Sequence, residues 1–396
     1  MLAVWAASLA MAATAYAQSS SIDPAIADPT LTPRGGWTIS PSVAYGGNYD
    51  DNVLIQESGD NTQGDFQNAI NPTLSAVFNG RRSEFDASYS GSFIRYVDLS
   101  SLNSFDQHMS ASFRRALTRH TSFFATQSFT SSPTTELSEL VGVPFLRVGS
   151  RVEDMRGGFD MDVTKRTFIS ASYSFQLIDF DADPTSGTSL LGGHSHGGSF
   201  SWKRSMTERI AMTVDYNLQH AIVIGTDGFN VHNAYGGVEY RTSPSITVAG
   251  SFGLSHLGIL GQPEPSRTGP AYRADYSQTF ERAQFHADYS RSYVPSYSFG
   301  GTQQNEEAAG QLSVPITPRV YLQSSLAWRR NEPLDIGGDR LKSVLTGTTI
   351  GYLVAPWLSV EGFYDGSFQN VQRPGGRLNR NRFGFQIVTT KPMRIR

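Results

Sequence analysis

The chain has 396 residues, of which 39% are hydrophobic, 12% aromatic and 17% charged; its net charge is -3 and it has no Cys. After the N-terminal segment no apolar stretch approaches the roughly 18 residues of a membrane-spanning helix, so helical spans are excluded. No basic patch interleaved with aromatics points to nucleic acid, and a disulfide framework is excluded too.

Residues 1–17 read as a secretory signal peptide. Leu2 to Ala15 is apolar and Ala-rich, and Ala15-Tyr16-Ala17 fits a small-x-small cleavage site, although the usual basic n-region is missing. Residues 18–36, with Pro24, Pro29 and Pro33, read as an unstructured periplasmic lead-in. Residues 37–390 then alternate. Ile210, Met212, Val214, Tyr216 and Leu218 hold one parity of a run, and Ala211, Thr213, Asp215, Asn217 and Gln219 the other. Successive side chains of a strand point to opposite faces, so each run has one apolar and one polar face. About eighteen such runs (range 16–18) have strand lengths near the roughly 9–11 residues that cross a bilayer. No linker or change of texture divides them. They predict one all-β domain, a transmembrane antiparallel barrel, followed by a periplasmic tail at 391–396.

Connections alternate between short and long. Asn79-Gly80-Arg81-Arg82, Leu117-Thr118-Arg119-His120, Thr164-Lys165-Arg166-Thr167 and Ala355-Pro356-Trp357 are among the short ones. The long ones, near 47–66, 97–105, 130–152, 179–192, 219–230, 257–269, 294–305, 330–341 and 369–379, are rich in Gly, Asp and Pro. Bacterial barrels place short turns in the periplasm and long loops outside. Export signal and β-rhythm together imply the outer membrane of a Gram-negative bacterium. Trp37, Trp202, Trp328 and Trp357 fall near run ends, where an aromatic girdle sits, and Tyr45, Tyr96, Phe175, Tyr216, Tyr293 and Tyr364 are expected with them.

The opposite parity predicts the lumen lining: Asp86, Arg156, Asp160, Asp162, Asp215, Arg273, Asp275, Asp288, Glu361 and Arg382. Charges of both signs there would line water or pair across the interior. Side chains alone cannot fill a barrel of this size, so a water-filled channel or a plug of folded-in loops is expected. The third long loop is unusually apolar. Leu140, Val143, Phe145 and Leu146 are candidates to narrow the pore, the alternative being packing on neighbouring loops or a partner. The lumen parity reads as nearly free of aromatics, which argues against stacked rings for sugars.

No catalytic motif, phosphate-binding Gly loop or zinc motif is present, and no cofactor is expected. His194 and His196 point the same way on one strand and form a weak metal candidate; residence near lipid headgroups is the favoured reading. Tyr49-Asp50-Asp51-Asn52 with Glu57 and Asp60 offers oxygen ligands, but matches no calcium loop and reads as solvated loop acid.

Gly36-Trp37-Thr38-Ile39-Ser40-Pro41-Ser42-Val43, Tyr49-Asp50-Asp51-Asn52-Val53, Ile70-Asn71-Pro72-Thr73-Leu74 and the turn Arg81-Arg82 resemble the large outer-membrane barrels of exopolysaccharide and capsule export, the "β-barrel porin 2" type. The resemblance implies a passive exit pore for a polysaccharide polymer. It would work with a periplasmic polysaccharide-export protein in a membrane of lipid and lipopolysaccharide. Arg81, Arg82, Arg114, Arg115, Lys165, Arg166, Lys203 and Arg204 would face that partner or lipid phosphate. The alternatives are a general or specific small-solute porin, a rim enzyme and a structural barrel.

Overall fold

The computed structural model describes residues 36–395, except 59–61, 137–141, 182–189, 226–227, 260–265, 298–301, 335–339 and 373–375. The expected signal peptide and nearly all of the lead-in therefore lie outside the described residues. The strands are β1 (Trp37–Asp50), β2 (Asp65–Asn79), β3 (Ser83–Tyr96), β4 (Ser104–Ala116), β5 (Thr121–Ser132), β6 (Ser150–Thr164), β7 (Thr167–Phe180), β8 (Gly193–Ser205) and β9 (Ile210–Val223). They continue as β10 (Phe229–Ser243), β11 (Ile246–Ile259), β12 (Arg267–Thr279), β13 (Gln284–Pro295), β14 (Thr302–Pro315), β15 (Val320–Pro333), β16 (Leu341–Ala355), β17 (Leu358–Val371), β18 (Arg377–Thr390) and β19 (Met393–Ile395). Among the described residues the single helical piece is a 3-10 turn at Ser100–Leu102.

From β1 to β18 each strand pairs antiparallel with its sequence neighbour, and β1 closes on β18 from Ser42↔Thr390 to Asp50↔Arg382. The result is an eighteen-stranded barrel with no open edge, which satisfies the backbone within hydrocarbon. Met393–Ile395 continues the wall by pairing with Trp37–Ile39, so the segment expected as a tail partly belongs to the sheet. Strands about 4.8 Å apart and tilted by about 40° give a circumference of about 110 Å and a diameter of about 35 Å.

The alternation sets the faces. Large apolar side chains of one parity stand open to the surroundings, as in Phe159 (52% exposed), Tyr173 (55%) and Phe252 (60%), and so form the lipid-facing surface. Three of the tight turns share one device. The hydroxyls of Thr118, Thr207 and Thr317 accept from backbone N–H groups two and three residues on, which fixes the reversal locally.

Candidate functional site

Strand parity places all ten sequence-predicted lumen residues on the inward face. Several are joined there by polar contacts. Arg114 on β4 reaches Asp160 on β6 at 2.6 Å, and Arg156 donates to Ser172 Oγ at 3.0 Å while lying over the Phe124 ring. Arg273 lies 4.0 Å above the Tyr235 ring, and His286 sits 3.7 Å from both Asp275 and Asp288. Glu361 is buried; Gln386 Nε2 donates to it at 2.6 Å, and the Tyr321 and Ser359 hydroxyls donate as well. Asp162 and Asp215 lie on the same face, near the periplasmic end and at mid-height.

This lining also holds Tyr235, Tyr321, Phe124 and Phe363, so the expectation of a lumen nearly free of aromatics is corrected. These rings follow the polar parity within their own strands and escape a scan for apolar beats. Tyr96 and Tyr293 depart from the girdle in the same way. Tyr96 is an inward residue under Arg147, and Tyr293 turns in where β13 leaves β12 after Tyr272↔Arg291.

The described parts of the third long loop, 133–136 and 142–149, lie within this interior. Between Ser132 and Ser150 the chain is long enough to run out and back over roughly 25–30 Å. Its neck is fastened by Thr135, whose Oγ1 donates to Pro144 O (2.7 Å) and accepts from Leu146 N (2.8 Å). Phe145 then packs against Ile55 and the inward residues Ala327, Leu345 and Leu378, on strands across the barrel from β5 and β6. Its N–H donates to Gln369 Oε1 at 2.9 Å. Gly142 has a positive φ of 73° and lies so close to Gln303 on β14 that a Cβ would overlap the amide. Arg147 ties the loop to its neighbours through Val53 O (3.0 Å) and Leu102 O (2.9 Å).

The anchor is Glu136. Its carboxylate is buried, accepts from Ser367 Oγ, and is held by Arg380 and, at 3.6 Å, by Arg382. Burial alone would raise its pKa; the two guanidiniums outweigh that and hold it at about 2. Arg380 also grips Asp50 at 2.6 Å. Asp50 and Asn52 are fully buried, and Asp51 accepts from Asn381, so these residues are structural anchors of the first long loop and not solvated acid. Asp60 lies outside the described residues. Of the four pore-narrowing candidates, Val143 and Phe145 are buried and Leu146 is partly buried against Val143, Val148 and Leu190; Leu140 lies outside the described residues. A third apolar cluster covers the loop end of β6–β13, where Val152, Ile178, Val223, Phe229 and Val231 receive Tyr297 from the seventh long loop. Burial pushes the Tyr297 phenol up to about 12.

Outside, Trp37 (β1) and Trp357 (turn) are exposed at the periplasmic end, with Trp202 on the same side of β8. Trp328 lies deeper in its strand, level with Ala308 and Val344. His194 and His196 also face outward, their rings 5.6 Å apart, and no group of three metal-ligating side chains occurs among the described residues. Of the basic turn residues expected to meet a partner, Arg114 and Lys203 instead face the lumen, bound to Asp160 and, at 2.5 Å, to Glu239. Strand parity turns them in before the turn begins.

The family model described as "Putative beta-barrel porin 2" matches residues 25–190. Among solved structures, the chain is similar to OccAB3 of Acinetobacter baumannii at 8% identity and a TM-score of 0.46, over 90% of this chain and 99% of that one. It is likewise similar to OpdQ of Pseudomonas aeruginosa at 9% identity and a TM-score of 0.46, over 90% and 98%. No curated protein matches the chain. The closed sheet, its lipid-facing band and the porin family match make this a porin-like β-barrel that crosses the Gram-negative outer membrane many times.

Proposed function

We propose that the protein is a passive, non-enzymatic channel for small hydrophilic solutes, with a preference for cations. The observation that carries this reading is the third long loop, pinned across the lumen by Phe145 and by the buried Glu136–Arg380 pair. A polysaccharide in transit needs a wide bore, and Glu136 and Phe145 of this loop take up part of it. Small solutes need only the hydrated space beside it. The cation preference follows from the lining, where carboxylates such as Asp86, Asp154, Asp162, Asp215, Asp275, Asp288 and Asp365 outnumber the inward guanidiniums and lysine.

Export of polymer, which the sequence resemblance implies, requires the loop to be displaced. Liposome swelling separates the two readings. Vesicles carrying the protein are expected to swell rapidly in monosaccharide and amino acid and to exclude dextran, with dextran entering only after deletion of residues 137–148. Dextran passage through the intact protein, or exclusion of every small solute, would overturn the proposal.

A further inference from the structure

The lipid-facing wall from β5 to β9 is not evenly filled. A shallow, open groove of about 500 Å³ runs over it. Its floor is Gly157, Ala171 and Gly198, and its sides are the exposed rings of Phe159, Tyr173, Phe200 and Tyr216. A Cβ built on Gly198 meets no atom within 4 Å, so no part of the protein occupies this space. The groove is apolar and lies at mid-wall, its long-loop end marked by Gly157, Tyr173, Gly198 and Leu218.

A row of histidines stands at that end, on the same outward parity. His196 on β8 pairs in register with His220 on β9, and His232 on β10 with His256 on β11. Each ring is oriented through Nδ1: His196 by the Tyr173 hydroxyl (2.6 Å), His232 by the Tyr216 hydroxyl (2.7 Å), His220 by Asn230 Oδ1 (2.8 Å) and His256 by Thr268 Oγ1 (2.8 Å). A tyrosine hydroxyl that donates to Nδ1 leaves the proton of His196 and His232 on Nε2, a donor suited to a phosphate oxygen, whereas His220 Nδ1 donates to Asn230 Oδ1. Tyr173 and Tyr216 thus belong to both parts, their rings walling the groove and their hydroxyls aiming the imidazoles. The carboxylates on this face, Glu153 and Asp179, lie on β6 and β7, beside the row and not within it.

We infer that this surface binds lipid A, the phosphorylated and acylated glycolipid of the outer leaflet, with an acyl chain in the groove and phosphates on the histidine row. The long-loop end of the barrel faces the outer leaflet. His196 and His232, two strands apart at about 4.8 Å spacing, place two donors about 10 Å apart, more than one phosphodiester needs and suited to a diphosphorylated disaccharide.

The test is native mass spectrometry of the delipidated full-length protein titrated with diphosphorylated lipid A, dephosphorylated lipid A or phosphatidylglycerol. Wild type is expected to retain one diphosphorylated lipid A. Gly198→Leu, which fills open space, should weaken retention about ten-fold by removing the acyl contact. The double variant His196→Ala/His232→Ala should weaken diphosphorylated lipid A several-fold and leave the dephosphorylated form unchanged, and bilayer conductance should be that of wild type in both variants. Equal retention by wild type and Gly198→Leu, or no distinction between the two forms of lipid A, would overturn the inference. So would preferred retention of phosphatidylglycerol, or multimers that Gly198→Leu dissociates, since the face would then join copies of the chain. If Gly198→Leu does not insert, the histidine variant decides alone.

Discussion

Glu136 and Arg380, 244 residues apart in sequence, form a buried ion pair that joins the third long loop to the wall at β18. Neither residue belongs to a local pattern. Removing one partner of a buried pair costs about 3–5 kcal/mol, because the other is left charged and uncompensated. Arg380 keeps Asp50 when Glu136 is lost, so the cost should fall at the low end and be concentrated in the loop. Glu136→Gln is therefore expected to insert normally and to raise single-channel conductance in planar bilayers. An unchanged conductance would remove the loop from any role in narrowing the pore.

The same pair sets a pH response. Glu136 is held at about 2, below the ordinary 4.5. A depressed folded-state pKa contributes stability that is fully present above the ordinary value and is lost as pH falls through the folded one. The part of the conductance that depends on Glu136, read as the difference between wild type and Glu136→Gln, should stay level from neutral pH down to about 4 and close only as pH approaches about 2. Titration of single channels of both proteins will show this.

Gly142 is predicted to tolerate no side chain. Its φ of 73° and the Gln303 amide in the path of a Cβ both oppose Gly142→Ala. The strain should cost about 1–3 kcal/mol and loosen the loop, seen as noisier and larger channels. Gly236→Ala is the control, since a Cβ there meets nothing within 4 Å; equal behaviour of the two variants would contradict the loop geometry.

Ion selectivity reports the lining. Under a salt gradient the reversal potential should have the sign of cation preference. Asp215→Asn and Asp162→Asn together should shift it toward zero, with little effect on folding, because both carboxylates lie on the lumen face. Anion preference in wild type would contradict the charge reading.

Much of this architecture follows from nearest-neighbour chemistry. The alternation in Ile210–Gln219 fixes which side chains face lipid, because successive strand residues point opposite ways whatever the rest of the chain does. Long and short connections set orientation, and Thr118, Thr207 and Thr317 shape their turns through contacts two and three residues away. That is why strand number, barrel closure and the inward placement of Asp86, Arg273 or Glu361 could be read from the sequence. Tertiary structure decided what period cannot encode. Phe145 reaches Leu345 and Leu378 only once the barrel has closed, and Asp50 is an anchor only because Arg380 returns beside it. Tyr173 and His196 become a phosphate donor above an apolar groove only through strand register. Contacts between residues hundreds of positions apart leave no local trace, so the wall and the apolar third loop were legible in the sequence, and the ion pairs that fasten that loop were not.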